Sequence, residues 1–235
     1  MTFWYNFAFR SEEEELMDVP DGNLEQLYNT LDQFEGINLL FSRSRSLLRQ
    51  TVLRDMQPGR EYHLVDLGAG ACDIPVWLLA EAEKRGLRLR ITAVDADPRV
   101  IAYARKKHAH LKQLEIRQAD ALNLSALPAF DYLFANHFLH HLRDRVLPGL
   151  LRDAARLSRR GFVFNDLKRS RFSYLAFSLL ARIYRNSFAR TDGLISIRKG
   201  FLPRDFQNLL EEKIFSVDTR FPGRIYLRGG CFRST

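Results

Sequence analysis

The stretch Val65–Trp77, VDLGAGACDIPVW, decides the fold. An apolar strand runs through Asp66 to Leu67, Gly68 and Gly70 follow closely, and a helix-forming run starts at Asp73. Strand, glycine turn and helix in that order open an α/β sheet whose ligands bind at the C-terminal ends of the strands. In the dinucleotide pattern G-x-G-x-x-G, the helix N-terminus receives a pyrophosphate. Here the third glycine slot holds Asp73. Like charges about 4 Å apart repel by on the order of 1 kcal/mol in water, and several times more near a protein surface. A phosphate ligand, and with it an NAD-type oxidoreductase, is therefore disfavoured. No Gly-Lys-Ser/Thr follows to make a P-loop. A ligand carrying positive charge suits glycines framed by two carboxylates.

Outward from that turn, hydrophobic periodicity predicts alternating strands and helices. Strands are expected at His63–Leu67, Leu89–Asp95, Leu114–Ala119, Tyr132–Ala135 and Gly161–Phe164. Between them, Asp73 can cap a helix with Pro75 in its first turn and Gly86 at its end. Pro98 opens a helix to about His110, and Asp144–Ser158 is helical. Ile214–Phe221 and Arg224–Arg228, joined at Pro222-Gly223, predict an antiparallel pair. The expected fold is α/β: a doubly wound, seven-stranded, mostly parallel sheet ending in an antiparallel hairpin. Leu24–Met56 predicts two covering helices, Phe172–Phe188 one long aromatic helix, and Pro203–Glu212 another helix. Residues 1–20 are expected to be a mobile arm, with Glu12–Glu15 a solvated face. No linker divides the chain, so a single domain is expected. Its parts are a helical cap (1–57), a core (61–167), an inserted helix or lid (168–200), and a final helix and hairpin (201–235).

Acids or glycines end three successive strands: Asp66 with Gly68 and Gly70, then Asp95, then Asp120. S-adenosylmethionine, with an ammonium, a sulfonium, ribose hydroxyls and no phosphate, matches that series. The residues also resemble a family. VDLGAGACD is similar to motif I of the class I S-adenosylmethionine-dependent methyltransferases, AVDAD to motif II, QADAL to motif III, and FDYLFANHFLHHL to motif IV with the helix after it. GFVFNDL is similar to the fifth strand. The resemblance covers about Glu61–Leu167. It implies S-adenosyl-L-methionine as cofactor, with Asp66, Gly68, Ala69, Gly70 and Asp73 around its methionine end. Asp95 and Ala96 would meet the ribose, Asp120 and Ala121 the adenine, and Asn136 and His137 the methionine moiety. Cys72 departs from the pattern by replacing the third motif glycine. A side chain there is tolerable if the backbone does not need a positive φ.

Methyl transfer is an in-line displacement that proximity can drive, helped by a base when the acceptor is a phenol. The base candidates are His137, His140 and Asp166. On a helix, His137 and His141 would share a face, but no carboxylate partner is evident, so no metal is expected. Asn165 and Asp166 either face the crevice or cap the next helix.

The net charge of +8 is unevenly placed: residues 1–142 hold 16 basic and 20 acidic side chains, residues 143–235 hold 20 and 8. The Phe172–Phe188 segment is rich in aromatics and flanked by arginines, which suits a wall or lid over a hydrophobic small molecule. It would also suit peripheral contact with an anionic membrane or an acyl chain. No nucleic-acid-binding domain is visible, so nucleic acid is disfavoured as a partner. Two cysteines make no disulfide framework, and the start lacks the features of a signal peptide. A cytoplasmic protein is expected. The pattern NDLKRS…RTDGLISIRKGF resembles bacterial methyltransferases that tailor polyketides, some encoded beside type III polyketide synthases. That implies O- or C-methylation of a phenolic or quinone-like product, with Asp192–Ser196 closing over the pocket; O-methylation of a phenolic acceptor is the expected reaction. C-methylation of a quinol is the rival within the enzyme class, and a cofactor-binding regulatory module without turnover the rival outside it.

Overall fold

The structure, a computed structural model, describes residues 6–207, 209 and 214–232. Its seven strands are β1 (Glu61–Leu67), β2 (Arg88–Asp95), β3 (Leu114–Gln118), β4 (Tyr132–Asn136), β5 (Gly161–Leu167), β6 (Phe215–Arg220) and β7 (Arg224–Gly230). They form one sheet in the order β3-β2-β1-β4-β5-β7-β6, parallel except that β7 runs antiparallel to both β5 and β6. This is the expected sheet with its closing hairpin.

Why the sheet is covered on both sides is visible in β1. Side chains alternate across a strand. Tyr62 and Leu64 join one core layer with α2 (Ser44–Gln50), α3 (Val52–Asp55) and α4 (Asp73–Lys84). Val65 and Leu67 join the other with α6 (Leu147–Leu157). Strands buried on both faces are expected of parallel sheets wrapped by helices. The chain order reverses direction across the sheet between β1 and β4, which opens a crevice at their C-terminal ends. α1 (Leu24–Ile37) and α5 (Pro98–His108) border it.

Several expectations are corrected. The N-terminal cover is α1, a wide turn at Asn38–Ser42, α2 and α3, rather than two helices. The described part of the N-terminal arm, residues 6–20, is pinned rather than mobile. Arg10 donates to the carbonyls of His140, Leu142 and Lys199, and Asp192 accepts from the amides of Leu16 and Met17. The aromatic segment breaks in two: α7 (Arg171–Leu180) ends in a tight turn at Ala181–Ile183, and α8 (Ala189–Lys199) starts afresh. Pro203–Phe206, the start of the helix expected to run to Glu212, forms a tight turn, and residues 208 and 210–213 lie outside the described residues. Asn165 and Asp166 sit inside β5 and cap nothing. Among the described residues, no helix is long and apolar enough to cross a membrane.

The turn after β1 shows how tightly the site is built. Gly68 has φ +63°, and a Cβ there would lie 2.6 Å from the Phe138 ring. We predict that Gly68→Ala lowers folding stability by about 1–3 kcal/mol, from left-handed backbone strain and ring displacement together. Chemical denaturation checks this; an unchanged midpoint would contradict it.

Candidate active site

The crevice is a cavity of about 1000 Å³ at the C-terminal ends of β1, β2 and β4. That is the upper end of the roughly 300–1,000 Å³ found for ligand sites. Every residue expected at the cofactor from the sequence lines it: Asp66, Gly68, Ala69, Gly70 and Asp73; Asp95 and Ala96; Asp120 and Ala121; Asn136 and His137. His140 lines it too, whereas Asp166 lies behind it, fully buried.

The electrostatics under the glycine turn are unusual. Asp66 is buried and no hydrogen bond reaches its side chain among the described residues. Burial, then the charges of Asp73 and Asp95, push its carboxyl well above the ordinary range. Burial likewise raises Asp73 to about 6, although Asn38 donates to both its oxygens at 3.3 Å. Asp95 is raised by burial despite accepting from the amides of Gly70 and Asp97 at 3.1 Å. Three carboxylates that each resist ionising create a demand for positive charge. These residues fit a group carrying an ammonium and a sulfonium. Asp120 differs: it is exposed, and it accepts from the Leu122 amide.

Cys72 answers the question its replacement of glycine raised. Its φ is +62°, so the backbone does enter the left-handed region, and the side chain is buried in the core. Cys72 precedes α4 as its cap residue, and Asp73 is the first helical residue rather than the cap. A non-glycine residue in that region costs about 1–2 kcal/mol, held here by packing. His137 shares the feature at φ +56° on the facing side of the crevice.

The histidines do not form a helix face. A tight turn at Leu139–His141 follows β4, and the His140 and His141 rings lie 4.3 Å apart. His140 Nδ1 contacts Asp166 Oδ1 at 2.7 Å, its Nε2 lies 3.4 Å from Glu15 Oε1, and its amide donates to Asp166 Oδ2. Burial would lower its pKa, but the Asp166 and Glu15 carboxylates outweigh burial and push it to about 9. Burial opposes ionisation of Asp166 as well, yet the His140 charge holds its carboxyl below the ordinary range. Both groups are locked as an ion pair. His137 is the opposite case: burial, then the nearby Arg224 charge, lower its pKa well below the ordinary value. It is neutral at pH 7, and its buried Nε2 has no hydrogen-bond partner among the described residues.

Two functional residues were not evident in the sequence. Glu15, expected on a solvated face, is buried against His140, His141 and the Lys199 ammonium. It is the carboxylate partner missing from the histidine pattern; the three side chains place ligand-type atoms within 4.8 Å of one another, and Lys199 already supplies positive charge there at 3.5 Å. Arg224, at the start of β7, is buried and lines the cavity. It anchors a polar chain. Arg224 donates to Asn165 Oδ1, Asn165 to Asn136 Oδ1, Asn136 to Asn38 Oδ1, and Asn38 to Asp73. Asp192–Ser196 lies in α8, with Asp192 fully buried and Gly193 and Ser196 in the cavity wall.

Sheet order, glycine turn and strand-end acids together define a class I S-adenosylmethionine-dependent methyltransferase fold. Residues 64–161 match the family model described as a methyltransferase domain. Human N-acetylserotonin methyltransferase in complex with SAM is similar in structure, with TM-score 0.61 and 17% identity over 89% of this chain. This chain spans 57% of that protein's length. A SAM-dependent methyltransferase from Aquifex aeolicus gives TM-score 0.58 and 15% identity, covering 86% of this chain and 97% of its own. The citrinin polyketide synthase CMeT domain gives 0.56 and 13%, covering 87% and 52%. No curated protein sequence matches the chain.

The raised His140 pKa has a consequence for stability. Unfolded, the imidazole titrates near 6.5; folded, it holds its proton to about 9. The stabilisation is therefore complete below pH 6.5 and lost as pH rises through 9. We predict that wild-type protein loses on the order of 2 kcal/mol of stability over that window, and that His140→Gln flattens the loss. Denaturation curves at pH 6.5, 8 and 9.5 check it; equal pH slopes in both proteins would contradict it.

Proposed function

We propose that the chain transfers a methyl group from S-adenosylmethionine to an oxygen of a hydrophobic small molecule, a phenolic polyketide-type compound, with His137 as the base. The observation that carries this reading is the neutral His137 ring in the wall of the cavity. A general base needs a free lone pair near the acceptor, and His137 offers one. His140 and Asp166 are poor bases at neutral pH, because each is held charged by the other.

Bound S-adenosylmethionine supplies an electrophilic methyl group. Asp66 would hold its ammonium, directly or through water, and Gly68 and Gly70 would let the backbone come close. Asp95 would accept from the ribose hydroxyls, and Asp120 and Ala121 would flank the adenine. Asn136 is fixed by Asn165 and Asn38, so its amide is oriented before any ligand arrives. The His137 imidazole would take the acceptor hydroxyl proton, leaving an oxygen nucleophile. Catalysis then rests on alignment plus one proton transfer.

A hydrophobic acceptor is supported by the far wall, where Phe172, Ala176, Phe177 and Leu180 of α7 face the cavity. Gly193 sits against Phe177 so closely that a Cβ would clash with the ring. An N-acetylserotonin methyltransferase and a polyketide synthase domain among the structural neighbours are in keeping with a small-molecule acceptor.

His137→Asn keeps a residue that tolerates positive φ while removing the imidazole. With a long-chain phenol such as 3-pentylphenol as acceptor, kcat should fall by about 10²–10⁴, while S-adenosylhomocysteine binds within about threefold of wild type. Radiolabelled transfer and calorimetry check the two halves, and an unchanged kcat would contradict the base assignment. Product mass spectrometry and NMR distinguish methyl on oxygen from methyl on carbon. A regulatory module would bind the donor and transfer no label.

A second variant tests the acceptor wall. Gly193→Val should displace Phe177 and α7 and raise KM for 3-pentylphenol by at least about tenfold, with donor affinity kept. Unchanged acceptor kinetics would place the acceptor elsewhere.

A further inference from the structure

Arg224 is the largest fully buried side chain among the described residues, and it carries a charge. Its Nε and Nη2 both donate to one neutral oxygen, Asn165 Oδ1, at 3.1 and 3.0 Å. Among the described residues, no carboxylate comes within 4 Å of it. The nearest acid that influences it, Asp166, is committed elsewhere: its oxygens accept from His140 Nδ1, the His140 amide and the Leu167 amide. Burial lowers the Arg224 pKa to about 10, so the guanidinium remains charged at neutral pH. A desolvated cation without an anion costs several kcal/mol.

The guanidinium is also held in one orientation. Asn165, which receives it, is itself fixed by donating to Asn136 Oδ1 at 2.7 Å and to the Ser42 carbonyl at 2.8 Å. The Nη1 amino group makes no hydrogen bond among the described residues, and Arg224 lines the cavity beside Phe221, Pro222 and Gly223. His137, with its orphaned Nε2, lines the same cavity and feels the Arg224 charge. A rigid cation, an apolar surround and an adjacent free imidazole make a subsite for an acidic small molecule.

We infer that Arg224 is a specificity-determining residue and that the natural acceptor carries a carboxylate, seated on its guanidinium inside the cavity. A planar fork of N–H donors matches a carboxylate in shape and in charge. A phosphate would bring a second negative charge toward Asp66, Asp73 and Asp95, which already resist ionising in this cavity. The inference deepens the proposed acceptor class and rests on it: the hydrophobic small molecule is an acid, with its hydroxyl toward His137 and its carboxylate toward Arg224.

The test uses 2-hydroxy-6-pentylbenzoate and the matching benzamide, which differ only in the charged group. Wild-type protein should favour the acid in kcat/KM by about 30-fold or more, as expected for a buried charge pair. In Arg224→Met that ratio should fall to within about threefold, and Arg224→Lys, which keeps charge but not the fork, should lie between. Because each ratio is taken within one variant, a change in folded fraction cancels. If neither compound is methylated, the same pair is titrated into protein saturated with S-adenosylhomocysteine. Arg224-dependent binding of the acid alone would then uphold the subsite while the methyl-transfer reading fails. An acid-to-amide ratio equal in wild type and Arg224→Met, or no binding of the acid at all, would overturn it.

Discussion

Everything at the crevice depends on three carboxylates buried beneath one glycine turn. Asp66 ends β1, Asp73 begins α4 and Asp95 ends β2, so the topology of the sheet alone brings them together. Folding them there is costly. A carboxyl whose pKa is raised in the folded state contributes less stability as pH climbs; for Asp73 that loss spans pH 3.8 to about 6. A cation that binds there would offset the cost, whereas a pyrophosphate would add to it. Binding specificity is thus stored as strain in the empty fold.

The same economy extends across the cavity. Asp73 is linked through Asn38, Asn136 and Asn165 to Arg224, a chain of side chains crossing from the N-terminal helices to the closing hairpin. Negative charge gathers at one end and positive charge at the other. Two left-handed residues, Cys72 and His137, mark the turns after β1 and β4, where the chain bends sharply around the crevice. Each is held by a backbone bond at 2.9 Å, Cys72 to the Ala69 carbonyl and His137 to the Asn165 carbonyl. That bend leaves the His137 ring in the cavity wall, apart from the ion pair that holds His140.

The sheet was legible in the sequence because it rests on local signals. Alternating or continuous apolar runs bounded by Gly, Pro and Asp mark β1 to β5, and strand-end acids mark the crevice. What was not legible depends on contacts between residues far apart in the chain. Glu15 lies in a run of four glutamates, and only its packing against His140 and Lys199 distinguishes it from its exposed neighbours Glu12 and Glu14. Arg224 opens an ordinary-looking strand, and its burial follows from β7 being inserted between β5 and β6. The break between α7 and α8 lacks a glycine or proline that would announce it. The positive φ of Cys72 was obscured because a cysteine there suggested a relaxed turn. The structure keeps the turn and strains the cysteine.

The most direct measurement is calorimetry of S-adenosylmethionine binding at pH 6 in buffers of different ionisation enthalpy. A seat made of carboxyls that resist ionising must give up protons when a cation arrives. Binding with net proton release at pH 6, and no detectable binding of NAD, is the predicted result. Tight NAD binding, or donor binding without proton release, would contradict it.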